Sequence, residues 1–265
     1  LSSARGVRIF LKKWMKKWRI PNAIILEDPS RAAGHLWAQD TKKVNDEETK
    51  LENSIPETRA VLQELWLDIP IIAAWGATDR ADFDRILALG ASWVQMGTRF
   101  LATHESGASP EFKESVIRAQ EEDIITYTSN AMLPARGLWG SGVFKTAEHQ
   151  IAHARKCVEN CLTHCAYRDG IGVLPNGEMP AQMCILRALV AATEGNPPEA
   201  DETSLKFVGT SAVRIKTLKS VEEIMNEIAY PKNKHLLKYF LDKFPLKKWI
   251  KILWQYFWWN NTKNK

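Results

Sequence analysis

Cysteine is scarce and confined: the 265-residue chain has four, all between Cys157 and Cys184. A clustered set in a large chain, with no secretory signal before it, points to a reducing compartment and free thiols, so the expected location is cytoplasmic. No apolar run reaches the ~18 residues of a membrane span. A strong excess of one charge is also lacking. Lys and Arg number 36 against 31 Asp and Glu, and the net +5 gathers at the two ends. That distribution argues against a nucleic-acid-binding face. No repeat occurs at the periods used by solenoids. The chain opens on Leu1 rather than methionine, so the natural start is expected to lie upstream.

What is present suits a folded α/β protein. Hydrophobic residues make up 45% of the chain and charged ones 25%, and a chain this long can bury a full-sized core without disulfides or metal. Residues 1–18 read as an amphipathic helix, with Val7, Leu11, Trp14 and Trp18 at helical steps and lysines opposite. Residues 23–26, 70–74 and 93–96 are short continuous apolar runs of the kind that form buried parallel strands. The charged segment 41–54 is expected to be solvated. Pro56, with Ser54 as cap, should open the next helix. Thr78 or Asp79 caps a helix closed by Gly90, and Ser109-Pro110 starts another. Residues 124–127 suggest a fourth strand, while 182–194 and 221–228 suggest helices. Strand, loop and helix at this spacing imply a parallel sheet, in a barrel or in an open doubly wound form.

Three strand ends deliver small or polar clusters: Ala32-Ala33-Gly34-His35, Ala74-Trp75-Gly76-Ala77 and Gln95-Met96-Gly97-Thr98. Ligands of parallel α/β folds sit at such ends. Glycine there lets backbone N–H groups approach an anion, and a following helix N-terminus adds partial positive charge. Gly76 before the capped helix fits a phosphate cradle, and Gly97-Thr98 adds an N–H and a hydroxyl. His35 titrates near neutrality, so it can remove a proton from a substrate or hydrogen-bond a developing anion.

The same residues resemble the nitronate monooxygenase (2-nitropropane dioxygenase-like) family. Residues 27–36, EDPSRAAGHL, are similar to its EDPSxAGGHLG loop, and residues 71–76 to its PVIAAGGI strand. Residues 90–103, GASWVQMGTRFLAT, match GAxGVQMGTRFLAT almost letter for letter. Residues 133–137 are similar to its later P-A-R turn, and the resemblance covers roughly residues 5–229. It implies an FMN-holding (β/α)8 TIM-type barrel, of which the C-terminal half is present with a helical extension. It further implies that Gly76, Gln95, Met96, Gly97 and Thr98 bind the FMN phosphate, that Ala33 and Gly34 line the cofactor, and that His35 is catalytic. Alkyl nitronate oxidation with O2 is the implied activity. An NAD(P)H-dependent quinone or enoyl-thioester reductase is the alternative within the superfamily, and an inactive fragment or membrane-associated binding protein the alternative outside it. Ala33, Trp37 and Trp75 stand where the family carries glycine.

The expected organisation is a partial barrel over 1–145, a Cys-containing α-rich region over 146–230 and a basic, Trp-rich tail over 231–265. His149, His153, Cys157, Cys161 and Cys165 recur every fourth residue and would share a stripe if helical, with Cys184 nearby. Soft ligands so placed can hold zinc or an iron–sulfur cluster. The spacing matches no common pattern, so free thiols and no metal are expected. The tail could lie on an anionic membrane surface, but that is not the expected role, a lineage-specific extension or a sequence artefact being the other readings. A small-molecule substrate is the expected partner, and homo-oligomerisation stays open.

Overall fold

The computed structural model describes residues 1–138, 160–194 and 204–229. The chain separates into two compact units, Leu1–Val221 and Glu222–Lys265. The first unit opens with helix α1 (Ala4–Met15), whose N-cap Ser3 accepts a hydrogen bond from the Gly6 N–H. There follow β1 (Ile24–Glu27), β2 (Gly34–His35), α2 (Leu51–Glu64), β3 (Ile71–Ala74), α3 (Arg80–Ala88) and β4 (Trp93–Gln95). Next come α4 (Thr98–Leu101), α5 (Pro110–Arg118), β5 (Ile124–Thr128), β6 (Pro134–Leu138), α6 (Ala166–Asp169) and α7 (Ile185–Glu194). Helix α8 (Val221–Ala229) follows, and its residues from Glu222 on are the described part of the second unit.

Strands β1, β3 and β4 form a parallel sheet in that order, with Glu27 paired to Ala74 and Ala74 to Gln95. The three C-terminal tips are therefore level, which brings their loops to one edge. One sheet face packs on helices. Ile24, Leu26, Ile71 and Ala73 share a core with Val7, Leu11, Leu51, Ile55, Leu62 and Ile86. The other face is open, with Ile25 47% and Trp93 56% exposed. The apolar runs predicted burial on both faces; the structure covers one. The fold class is α/β, with βα units of the TIM-barrel type.

Four local expectations are corrected. Helix α2 starts at Leu51, not at Pro56, which lies inside it. Leu51 and Ile55, both fully buried and one turn apart, fix the first turn in the core, and that burial outweighs the proline signal. Segment 41–54 is likewise not simply solvated, since Val44, Thr49, Leu51 and Ser54 are buried. The strand at 124–128 does not extend the parallel sheet. It pairs antiparallel with β6, which pairs in turn with β2. Residues 133–137, expected as a turn, belong largely to strand β6, and the turn itself is closed by Ser129 N–H donating to Leu133 O at 2.8 Å.

Cys161 and Cys165 lie outside any helix, so the fourfold stripe is not continued there; His149, His153 and Cys157 fall outside the described residues. Cys161, Cys165 and Cys184 are free. Among the described residues no cluster of His, Cys, Asp or Glu could hold a metal, and no helix is long and apolar enough to cross a membrane. The tail 231–265 also lies outside the described residues.

Candidate functional site at the strand tips

The loop leaving β1 is built around Asp28, which is fully buried. Its backbone N–H donates to Ala74 O at 3.0 Å, tying the tip of β1 to β3. Its Oδ1 accepts from the Ser30 N–H at 2.9 Å and from the Ser30 hydroxyl, and its carbonyl accepts from the Arg31 and Ala32 N–H groups. Burial pushes the Asp28 carboxyl pKa up. From β6, the buried Arg136 reaches across, and its Nη1 donates to Pro29 O and Ala32 O, each at 2.8 Å. Burial pulls the guanidinium down to about 10. Those two bonds clamp the turn that delivers Gly34 and His35.

Gly34 takes φ +67, a left-handed conformation that glycine adopts without steric cost. It then pairs with Arg136 as His35 pairs with Ala135. The His35 ring is half-buried. Its Nε2 lies 2.9 Å from Ser129 Oγ, and its ring centroid is 5.7 Å from that of Phe207. Ser129 Oγ also accepts from the Ala131 N–H at 3.2 Å. Burial lowers the histidine pKa below 6.5, so the imidazole is neutral at neutral pH.

The β3 tip turns at Gly76, with φ +73. A Cβ there would lie 3.2 Å from Ser211 Oγ and 3.5 Å from Arg31 O. At the β4 tip, Gly97 has nothing within 4 Å of its Cβ position, so its backbone faces open space. Thr98 Oγ1 accepts from the Gly209 N–H at 3.0 Å, leaving the hydroxyl proton free to donate elsewhere. Gly209 is itself wedged against the first loop. A Cβ would fall 2.6 Å from Arg31 O, and the next N–H, of Thr210, donates to that oxygen at 3.1 Å. Segment 207–211 thus joins all the tips: Phe207 beside Gly34 and His35, Gly209 on Arg31 and Thr98, Ser211 over Gly76. Gln95 is exposed, and Met96 and Ala33 are half-buried at the same edge. Trp75 joins the helix-side core, with the Arg31 guanidinium of the first loop over its ring.

Phe207, Gly209, Ser211 and Ser129 were not singled out from the sequence, and Arg136 entered only as the arginine of the P-A-R turn, without a role. Gly209-Thr210-Ser211 after the apolar Phe207-Val208 is the same kind of signal as Gly97-Thr98 after β4. It was readable but lacked a strand to anchor it.

Level parallel tips, glycine turns and a histidine on the adjoining ribbon belong to an α/β protein of the barrel class, a class in which ligand sites commonly lie at the strand ends. The family model for nitronate monooxygenase matches residues 1–230, and the chain belongs to that family. A "probable nitronate monooxygenase" of Staphylococcus saprophyticus is 32% identical over 103 residues, which are 39% of this chain and 29% of that protein. One of Bacillus subtilis, with the same description, is 40% identical over 72 residues, 27% of this chain and 21% of that protein. The matches thus span less than a third of these relatives. FabK from Thermotoga maritima superimposes with a TM-score of 0.57 at 24% identity, over 97% of this chain and 62% of that one. Nitroalkane oxidase from Streptomyces ansochromogenes gives 0.54 at 20% identity, over 86% and 55%.

Proposed function

We propose that this chain carries the phosphate-binding edge and the catalytic histidine of an FMN-dependent oxidoreductase that oxidises alkyl nitronates with O2. The observation that supports it most is the meeting of the three strand tips under segment 207–211. Family membership points the same way.

The residues present fit a phosphate. Ser211 Oγ is buried without a hydrogen-bond partner among the described residues, a state that a hydroxyl ordinarily resolves with a ligand or water. It lies beside Gly76, whose bare Cα lets an anion close in. Gly97 presents open backbone, and Thr98 retains a hydroxyl proton. Gly76, Gln95, Met96, Gly97 and Thr98 would hold the phosphate of FMN, with Ala33 and Gly34 along its body. When bound, FMN supplies acceptance of electrons from the substrate and their passage to O2.

The chain's own part is to orient and to hold a proton. The neutral imidazole of His35 is the form that can accept a proton from a substrate carbon. Ser129 fixes the ring through Nε2, so Nδ1 is the nitrogen left to meet the substrate. Phe207 and the burial it brings keep the ring uncharged.

Titration of the purified protein with FMN, followed by quenching of flavin fluorescence, tests the site. O2 uptake with an alkyl nitronate tests the reaction. Failure to quench would overturn the cofactor reading. Binding of FMN with NAD(P)H oxidation by a quinone or enoyl thioester, and none of the nitronate, would replace the reaction with the reductase.

A further inference from the structure

The first three long helices each precede a strand of the parallel sheet, and each is followed by a residue with positive φ. At the end of α1, the Arg19 N–H donates to Trp14 O at 3.1 Å and the Trp18 N–H to Met15 O at 3.0 Å. At the end of α2, the Leu67 N–H donates to Leu62 O at 2.9 Å and the Trp66 N–H to Gln63 O at 3.1 Å. This nested pair of bonds closes a helix through one left-handed residue, ordinarily glycine. In α3 that place is held by Gly90, with φ +106 and its N–H on Leu87 O at 3.0 Å. In α1 and α2 it is held by tryptophan: Trp18 at φ +55 and Trp66 at φ +57.

Left-handed backbone crowds any Cβ against the following carbonyl. Nothing at these two sites offsets that cost, because Trp18 is 97% and Trp66 95% exposed. Most of the remaining described tryptophans are also exposed. Trp37 and Trp93 are more than half exposed, at 59% and 56%, and Trp14 is 37% exposed. Trp75 is buried with the Arg31 and Arg85 guanidiniums over its ring at 4.4 and 4.0 Å, but its indole N–H has no acceptor among the described residues. Tryptophan is the side chain with most to gain from burial, and its N–H normally finds a partner when buried. A docking surface would account for exposed indoles. It would not account for left-handed backbone under two of them, nor for Trp75.

We propose that positions 18 and 66 are glycine sites, and that one codon, translated here as tryptophan, is decoded as glycine in the cell that makes this protein, at these positions and at 37, 75 and 93. UGA is read as tryptophan in some genetic codes and as glycine in others, so a single reassigned codon accounts for all five. Glycine at 75 would also place a second bare Cα beside Gly76, at the edge where ligand is bound.

Peptide sequencing by mass spectrometry, on protein isolated from its own cells, tests the decoding. The tryptic peptide 60–80 carries positions 66 and 75, and the peptide 86–99 carries position 93. Glycine at all three is the expected result, and tryptophan at 66 would overturn it. Recombinant protein tests the sites separately. Trp18→Gly and Trp66→Gly should each raise the melting temperature, by roughly 2 °C. Trp66→Ala should gain less, because alanine shares the left-handed penalty. Glycine variants that melt at or below the parent would overturn the glycine-site assignment. Tryptophan in the native peptides, together with self-association lost in Trp66→Gly, would assign these residues to an interface instead.

Discussion

Arg136 offers the most direct test of how the histidine is held. Replacing it with methionine keeps much of the stem's bulk and removes both hydrogen bonds to Pro29 O and Ala32 O. A hydrogen bond from a charged donor contributes about 1.5–3 kcal/mol, and an orphaned buried carbonyl costs about 1–3 kcal/mol. Against this, burying the guanidinium is itself unfavourable, as its pKa of about 10 records, so the variant recovers part of the loss. The net destabilisation should be roughly 2–4 kcal/mol. At about 2–4 °C per kcal/mol for a domain of this size, that is a drop of roughly 4–16 °C in Tm. Circular dichroism melting measures it. Amide exchange should localise the damage, with protection lost at residues 28–36 before the helix-side core. Arg136→Lys, which keeps charge but not the fork, should fall between. An Arg136→Met protein that melts with the parent and keeps protection over 28–36 would refute the clamp.

Three further outcomes are expected. His35 has its pKa lowered by burial, so near and below pH 6.5 the unfolded chain binds more protons than the folded one. Its contribution is full above that pH and declines as pH falls, a slope that His35→Gln should flatten in urea titrations across pH 5–8. Gly76→Ala forces a side chain into left-handed backbone beside Ser211. It should cost about 1–2 kcal/mol in thermal unfolding and weaken FMN binding in the same fluorescence titration. Ser211→Ala removes a hydroxyl that has no hydrogen-bond partner among the described residues. The melting temperature should therefore hold while the FMN dissociation constant rises about 5- to 10-fold, the equivalent of one hydrogen bond; unchanged FMN affinity would remove Ser211 from the cradle.

The parallel sheet and its tips were legible because each strand is an apolar run closed by glycine or a polar turn. A cap at Thr78 or Asp79 and a helix start at Ser109-Pro110 were legible; Asp79 and Ser109 are the residues that accept the capping N–H. The start of α2 was not, because local proline chemistry lost to the burial of Leu51 and Ile55. The antiparallel ribbon was not legible either. Strand β2 is two residues long, too short to show a period, and its partner lies about a hundred positions away in sequence. The histidine and the glycines could be named from their loops, while what steadies them could not. Ser129, Arg136 and Phe207 are brought near by pairing that carries no local signature.

That distance has a consequence for synthesis on the ribosome. Pro29 and Ala32 emerge long before Arg136, and His35 long before Ser129 and Phe207. The nascent chain can assemble the first helices and strands early, but the imidazole gains its fixed bearing only after β6 has cleared the exit tunnel. Flavin capture in the geometry proposed above would therefore be a late event, following synthesis of residues 207–211 rather than folding of the N-terminal layers.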